Sequence, residues 1–173
     1  MSNPTQAIAA ELEREAPATR RILERVPADR LDWQPHPKSM TLGQLAMHIA
    51  TIPGSISRLA SLDGMDTVGR SFKPASPESA AELVPALEAS LATAQTFLNG
   101  LDETAAAAPW RLSAGPREIF TMPRLEVVRT LMLNHLYHHR GQLAVYLRLL
   151  DVPVPAVYGT SADENPFAEA AAA

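Results

Sequence analysis

Between residues 123 and 150 apolar side chains return every third or fourth position, and that rhythm admits one kind of element, a long helix with a face to bury. Taking His135 as reference and a step of about 100° per residue, Val128, Leu131, His139, Gln142, Tyr146 and Leu149 fall within about 40° of it. This stripe is apolar at its ends and polar in its middle. The polar part holds "NHLYHHRGQL" (134–143), with three of the five histidines in the chain.

A helix of this length needs neighbours, and the sequence supplies them. Ile8, Leu12, Thr19, Leu23 and Val26 mark a first helix over 5–26, which Pro17 should kink or split. The proline-rich "PADRLDWQPHPKSM" (27–40) must be a loop. A second helix follows in "TLGQLAMHIATIPGSISRLA" (41–60), with Thr41 or Ser39 as N-cap. Its seam is Leu42, Leu45, Ile49, Ile52, Ile56 and Leu59, and Pro53 should bend it. Residues 63–78 read as a linker. A third helix spans about 77–99, with Ser76 as cap and Pro77 at the first helical position. Leu83, Leu87, Leu91, Ala94 and Leu98 form its buried side, and Pro85 should bend it. Residues 100–122 break the rhythm; "PWRLSAGPREIFTMP" fits a short hairpin around "AGP" or irregular cover. The expectation is an all-α four-helix bundle, one domain over 1–173, with a short hairpin or irregular insertion before the last helix. Residues 159–173 should form an irregular tail.

Bulk properties exclude several functions. The net charge of −4 and pI near 5.7 leave no basic face for nucleic acid. No apolar run reaches the ~18 residues of a membrane span, and the N-terminus has no signal-peptide pattern, so a cytoplasmic location is expected. With no cysteine, the chain has no disulfide, no thiolate nucleophile and no Cys-based zinc site.

The imidazoles carry the chemistry. His135 and His139 stand one turn apart on the bundle-facing stripe, a spacing that lets both rings reach one metal ion. His138 lies about 60° off, toward a mouth position. A third ligand must come from another helix, and His48 sits three residues after Leu45 and four before Ile52. Three neutral imidazoles would leave coordination positions open for water or substrate. Imidazole suits zinc, nickel, iron or copper. Buried histidines satisfied by hydrogen bonds would give the same spacing. No general base stands out: Glu15, Gln142 and Tyr146 are the candidates, ahead of Tyr137. Arg140 should point away from the stripe and pair an acid on a neighbouring helix or subunit. Trp33 should plug the bundle end, and His36 is read as a surface imidazole.

"DWQPHPKSMTLGQLAMHIA" (32–50), "NHLYHHRGQLAVYLRLLDVPVP" (134–155) and "YGTSADE" (158–164) together resemble the DinB/YfiT-like superfamily, in its bacterial DinB branch. The resemblance implies an up-down-down-up bundle with a divalent metal on His48, His135 and His139, zinc or nickel first and iron or manganese as alternatives. It implies a homodimer and a small-molecule substrate. Members include S-transferases that use low-molecular-weight thiols such as bacillithiol or mycothiol, and metal-dependent hydrolases. A thiol-activating enzyme is the expected function; a hydrolase, or a non-enzymatic metal- or ligand-binding stress protein, is the alternative.

Overall fold

The computed structural model describes residues 4–168. In chain order these form α1 (Pro4–Leu23), α2 (Leu42–Ala60), β1 (Gly64–Asp66), α3 (Leu83–Gly100), α4 (Glu103–Ala107), β2 (Pro109–Ala114) and β3 (Arg117–Pro123). The last helix is continuous but not uniform: α5 (Arg124–Val128) passes through a π segment (Arg129–Asn134) into α6 (His135–Leu149).

Local chemistry explains the boundaries. Thr41 caps α2 in a capping box: its hydroxyl accepts from Gln44 N–H at 3.2 Å, and the Gln44 side chain accepts from Thr41 N–H at 3.1 Å. The cap before α3 is Ser79, not Ser76. Ser79 and Glu82 form a second box on the short 3₁₀ turn Ala80–Glu82, which leads into Leu83. Pro85 falls in the first turn of α3, where a backbone N–H has no helical partner to lose. Pro17 and Pro53 sit inside α1 and α2 without splitting either. Next to Pro53, the Gly54 N–H donates to Ser90 Oγ on α3 at 2.8 Å. A Cβ at Gly54 would lie 3.1 Å from both Ser90 Cα and Oγ, so this is a close helix–helix approach.

The helices enclose one core. Leu12, Leu45, Ile49, Leu87, Met132 and Leu143 are fully buried there; each such side chain contributes roughly 1.5–3 kcal/mol by leaving water. The inward stripe is not the one a constant step draws. Val128 and Met132 are buried, Leu131 is half-buried, and Leu149 stands 58% exposed. The π segment shifts the helical phase at Leu131 and Met132, ahead of His135, whereas Leu149 is simply the last residue of α6.

The all-α expectation is wrong. Three strands form a mixed sheet in the order β1-β2-β3, with β1 parallel to β2 and β2 antiparallel to β3. The hairpin turns at Gly115, which has φ +60°, and carries a register shift at Leu112/Ser113. A hairpin is one of the two forms the sequence of 100–122 allows; the short α4 before it is in neither. Strand β1 lies in the supposed linker. It has three residues, too few for any periodicity, and its partner is far away in sequence. Gly64 is essential there: an added Cβ would meet the Arg111 carbonyl oxygen at 2.4 Å. Trp110 anchors the sheet, fully buried, its Nε1–H donating to the Leu59 carbonyl at 3.3 Å. Buried Arg124 ties sheet to helices, donating to Ala105 O at 2.7 Å and Asp63 Oδ1 at 2.8 Å.

The segment after α6 has no regular structure but is held in place. The Ser161 hydroxyl donates to Val154 O at 2.7 Å and accepts from Asp163 N–H and Glu164 N–H. Glu164 accepts from Ala156 N–H at 2.8 Å and pairs with Arg21 and Arg25 of α1 and its C-terminal turn. The expected tail is irregular in form up to 168; its alanine-rich end, 169–173, lies outside the described residues.

Candidate metal centre

Three imidazoles meet between α2 and α6. His135 opens α6, His139 follows one turn later, and His48 faces them from α2. His48 Nε2 is 3.4 Å from His135 Nε2, which is 2.7 Å from His139 Nε2. One ligand atom from each lies within 4.8 Å of the other two, and among the described residues no other His, Cys, Asp or Glu joins such a group. Bonds of about 2.0–2.1 Å to a tetrahedral ion would set ligand nitrogens about 3.3 Å apart. The His48–His135 pair has that spacing. The His135–His139 pair is closer, at the distance of two rings sharing one proton.

The surroundings keep the rings uncharged. Burial, then the neighbouring rings of His139 and His135, lower the His48 pKa to about 4. Burial also lowers His135 and His139, while Gln142 opposes it at His139 and the Leu131 carbonyl opposes it at His135. No carboxylate contributes at any of the three. Gln142, three residues beyond His139, places Oε1 2.7 Å from His139 Nδ1. A carbonyl oxygen there needs a proton on Nδ1, which leaves the Nε2 lone pair free for a cation. His135 Nδ1 is buried and has no hydrogen-bond partner. The donor set fits a divalent ion: three neutral rings, converging nitrogens, and one tautomer already fixed.

The other candidates lie elsewhere. Glu15 is not at the imidazoles. Its carboxylate pairs with Arg140 at 2.6 Å and accepts from Tyr158 OH at 2.8 Å. Arg140 points away from the imidazoles into this cluster, 3% exposed, also bonding Thr19 Oγ1 at 3.1 Å and lying over the Tyr137 and Tyr158 rings. Tyr137 donates to Glu11 at 2.8 Å, and Arg129 pairs with the same carboxylate at 2.7 Å. Tyr146 donates to Met40 O at 3.3 Å and meets Trp33 edge-on at 5.6 Å. Trp33 packs against the core, and His36 is exposed, its Nδ1 accepting from Lys38 N–H. His138 is exposed, its ring centroid 4.9 Å from that of His139, outside the three-nitrogen group. The π segment beside His135 escaped the sequence reading because nothing in "RTLMLN" distinguishes π from α.

The model of the DinB family matches residues 1–168. The chain belongs to the DinB family. Solved structures agree with that assignment of this DinB chain. A DinB-like protein from Bacillus cereus ATCC 10987 is 26% identical, with TM-score 0.61, covering 83% of this chain and 91% of its own. One from Bacillus subtilis, 16% identical with TM-score 0.65, covers 87% and 96%. A third, of the DinB family from Exiguobacterium sibiricum 255-15, is 20% identical with TM-score 0.64 and covers 90% and 97%. The latter two speak to the fold alone. No curated protein matches the DinB chain.

Proposed function

We propose that this DinB chain holds a divalent metal ion, zinc or nickel first, through Nε2 of His48, His135 and His139, and serves as an enzyme that activates a thiol cosubstrate. The observation that carries the reading is the meeting of three Nε2 atoms with Gln142 already directing the His139 lone pair inward. Such an ion supplies Lewis acidity and a cationic seat for an anionic ligand. The chain's own residues set the charge of that seat. Three neutral rings add none, and no carboxylate acts on them, so both positive charges stay uncompensated and favour an anion. A sulfur anion fits, and with no cysteine in the chain the sulfur must come from a small molecule. Glu15 is engaged by Arg140 and Tyr158, and Tyr146 by Met40, so neither serves as a base in this reading. A cytoplasmic location and pairing of two copies belong to the same reading; light scattering tests the second.

The test begins with elemental analysis of untagged protein, followed by turnover of thiol–electrophile mixtures. Bound metal, and turnover lost in His48→Ala and His135→Ala, is the expected result. Thiol-independent cleavage of esters or amides would make it a hydrolase. Metal without turnover on a broad panel would make it a binder.

A further inference from the structure

Away from the imidazoles, a cavity of about 420 Å³ lies between α6, α1 and the segment that follows α6. Its walls are apolar at Ile22, Ala144, Val154 and Val157, and no acidic side chain lines it. At Gly141, which also lines it, an added Cβ would meet nothing within 4 Å, so the α6 wall is open there. The wall formed by the C-terminal segment is fixed in place. The Ser161 hydroxyl holds Val154 O at 2.7 Å, and Glu164 ties the segment to Arg21 and Arg25. A pre-formed, largely apolar space of this volume has the dimensions of a small-molecule site.

One charged group interrupts the apolar walls, and it is buried. Arg140 lines the cavity with its side chain only 3% exposed. A guanidinium carries five N–H groups. Nη1 donates to Glu15 O at 3.3 Å and to Thr19 Oγ1 at 3.1 Å, and Nη2 donates to Glu15 Oε2 at 2.6 Å and to Tyr158 OH. These bonds account for four, and Nε–H takes part in none of them. Among the described residues the sealed side-chain atoms without a partner are Arg124 Nε and His135 Nδ1. Arg140 Nε is not sealed, and the open space that Arg140 borders is this cavity. The guanidinium is also held in orientation, 5.3 Å from the centroid of the Tyr137 ring and 5.1 Å from that of Tyr158.

We propose that this cavity is a second ligand site, which takes a small uncharged molecule with an apolar body and one carbonyl-type acceptor. The acceptor bonds Arg140 Nε–H, and the body lies against Ile22, Ala144, Val154 and Val157. A donor on a charged group makes a stronger hydrogen bond than a neutral one, so the single polar contact fixes the ligand's orientation. Charge decides the class of ligand. Glu15 already neutralises this guanidinium, so a carboxylate would bring a second anion to a balanced pair, whereas a ketone, ester or amide takes the spare N–H without that repulsion.

The test follows the Arg140 Nε–H signal in ¹H–¹⁵N spectra of the full chain at pH 7.5 while acetophenone, benzoate or ethylbenzene is added. Acetophenone should give saturable shifts of that signal and of the Gly141 and Gly159 amides. Benzoate, which is charged, and ethylbenzene, which lacks the acceptor, should each bind at least about tenfold more weakly. Gly141→Leu fills the open wall and replaces a helix glycine with a better helix former. It should keep or raise the melting temperature and weaken acetophenone about tenfold or more by occupying its space. Benzoate or ethylbenzene binding as tightly as acetophenone overturns the proposal, as do an unmoved Arg140 Nε–H signal, undiminished affinity in Gly141→Leu, or no saturable binding of any of the three. The comparison of the three molecules needs no variant and decides the question even if Gly141→Leu does not fold. Neither outcome depends on metal at the imidazoles.

Discussion

At the scale of single residues, the centre is governed by where protons sit. Gln142→Leu keeps the shape of the side chain and removes the acceptor for His139 Nδ1–H. Zinc affinity should fall about 10–100-fold while the melting temperature hardly moves; calorimetry paired with thermal melts checks it. The depressed pKa values also set a sign for pH. In the unfolded chain each ring protonates near 6.5, but folded His48 does so only at about 4, and His135 and His139 are lowered as well. The unfolded state therefore binds more protons between these limits. Stability is fully present above pH 6.5 and is lost as pH falls from there toward about 4, by at most on the order of 3 kcal/mol for His48. Urea unfolding in chelator at pH 7.5 and pH 5 should show the loss; a flat profile would mean the rings are open to water. Metal affinity should fall in the same direction, because protons compete for the same nitrogens.

At the scale of elements, the helix contact at Gly54 is the sharpest test of packing. Gly54→Ala forces a methyl group against the Ser90 backbone and should cost about 1–3 kcal/mol. Ser90→Ala leaves the Gly54 N–H without its acceptor and should cost about as much, by the route of an unpaired buried donor. Denaturant melts of both, and of the double variant, would show strongly non-additive losses, since either change ends the same contact. The helices were legible in the sequence because their burial repeats: Leu83, Leu87, Ala94 and Leu98 all face the core as the spacing required. So was the meeting of His48 with His135 and His139, because a polar segment on an apolar stripe needs a partner. What escaped lacks repetition. Strand β1 is three residues long and defined only by Arg111–Ser113, a remote partner. Ser79, the cap of the 3₁₀ turn leading into α3, competes in the sequence with the earlier Ser76-Pro77 pair, since both satisfy the same local pattern. The π turn is a choice of hydrogen-bond partner, and side-chain periodicity records it only as a phase error, seen at buried Met132 beside half-buried Leu131.

At the scale of the whole molecule, α1, α6 and the C-terminal segment are held by charge as much as by apolar contact. Arg140 is buried, its Glu15 partner nearly so, and Tyr158 closes over both. Arg140→Met should cost about 3–5 kcal/mol, because it leaves the Glu15 carboxylate buried without its cation. Zinc affinity should survive, since the pair does not touch the imidazoles; loss of both together would mean that the two regions are coupled. The two tryptophans carry a practical consequence. Trp110 is sealed beneath the sheet, while Trp33 leans on Tyr146 of the helix that bears His135 and His139. Each indole is thus an optical reporter for one end of the protein. Emission from a single-tryptophan variant keeping Trp33 would follow events near the imidazoles, and one keeping Trp110 would follow the sheet, so the order in which the two ends come apart can be read with a fluorimeter.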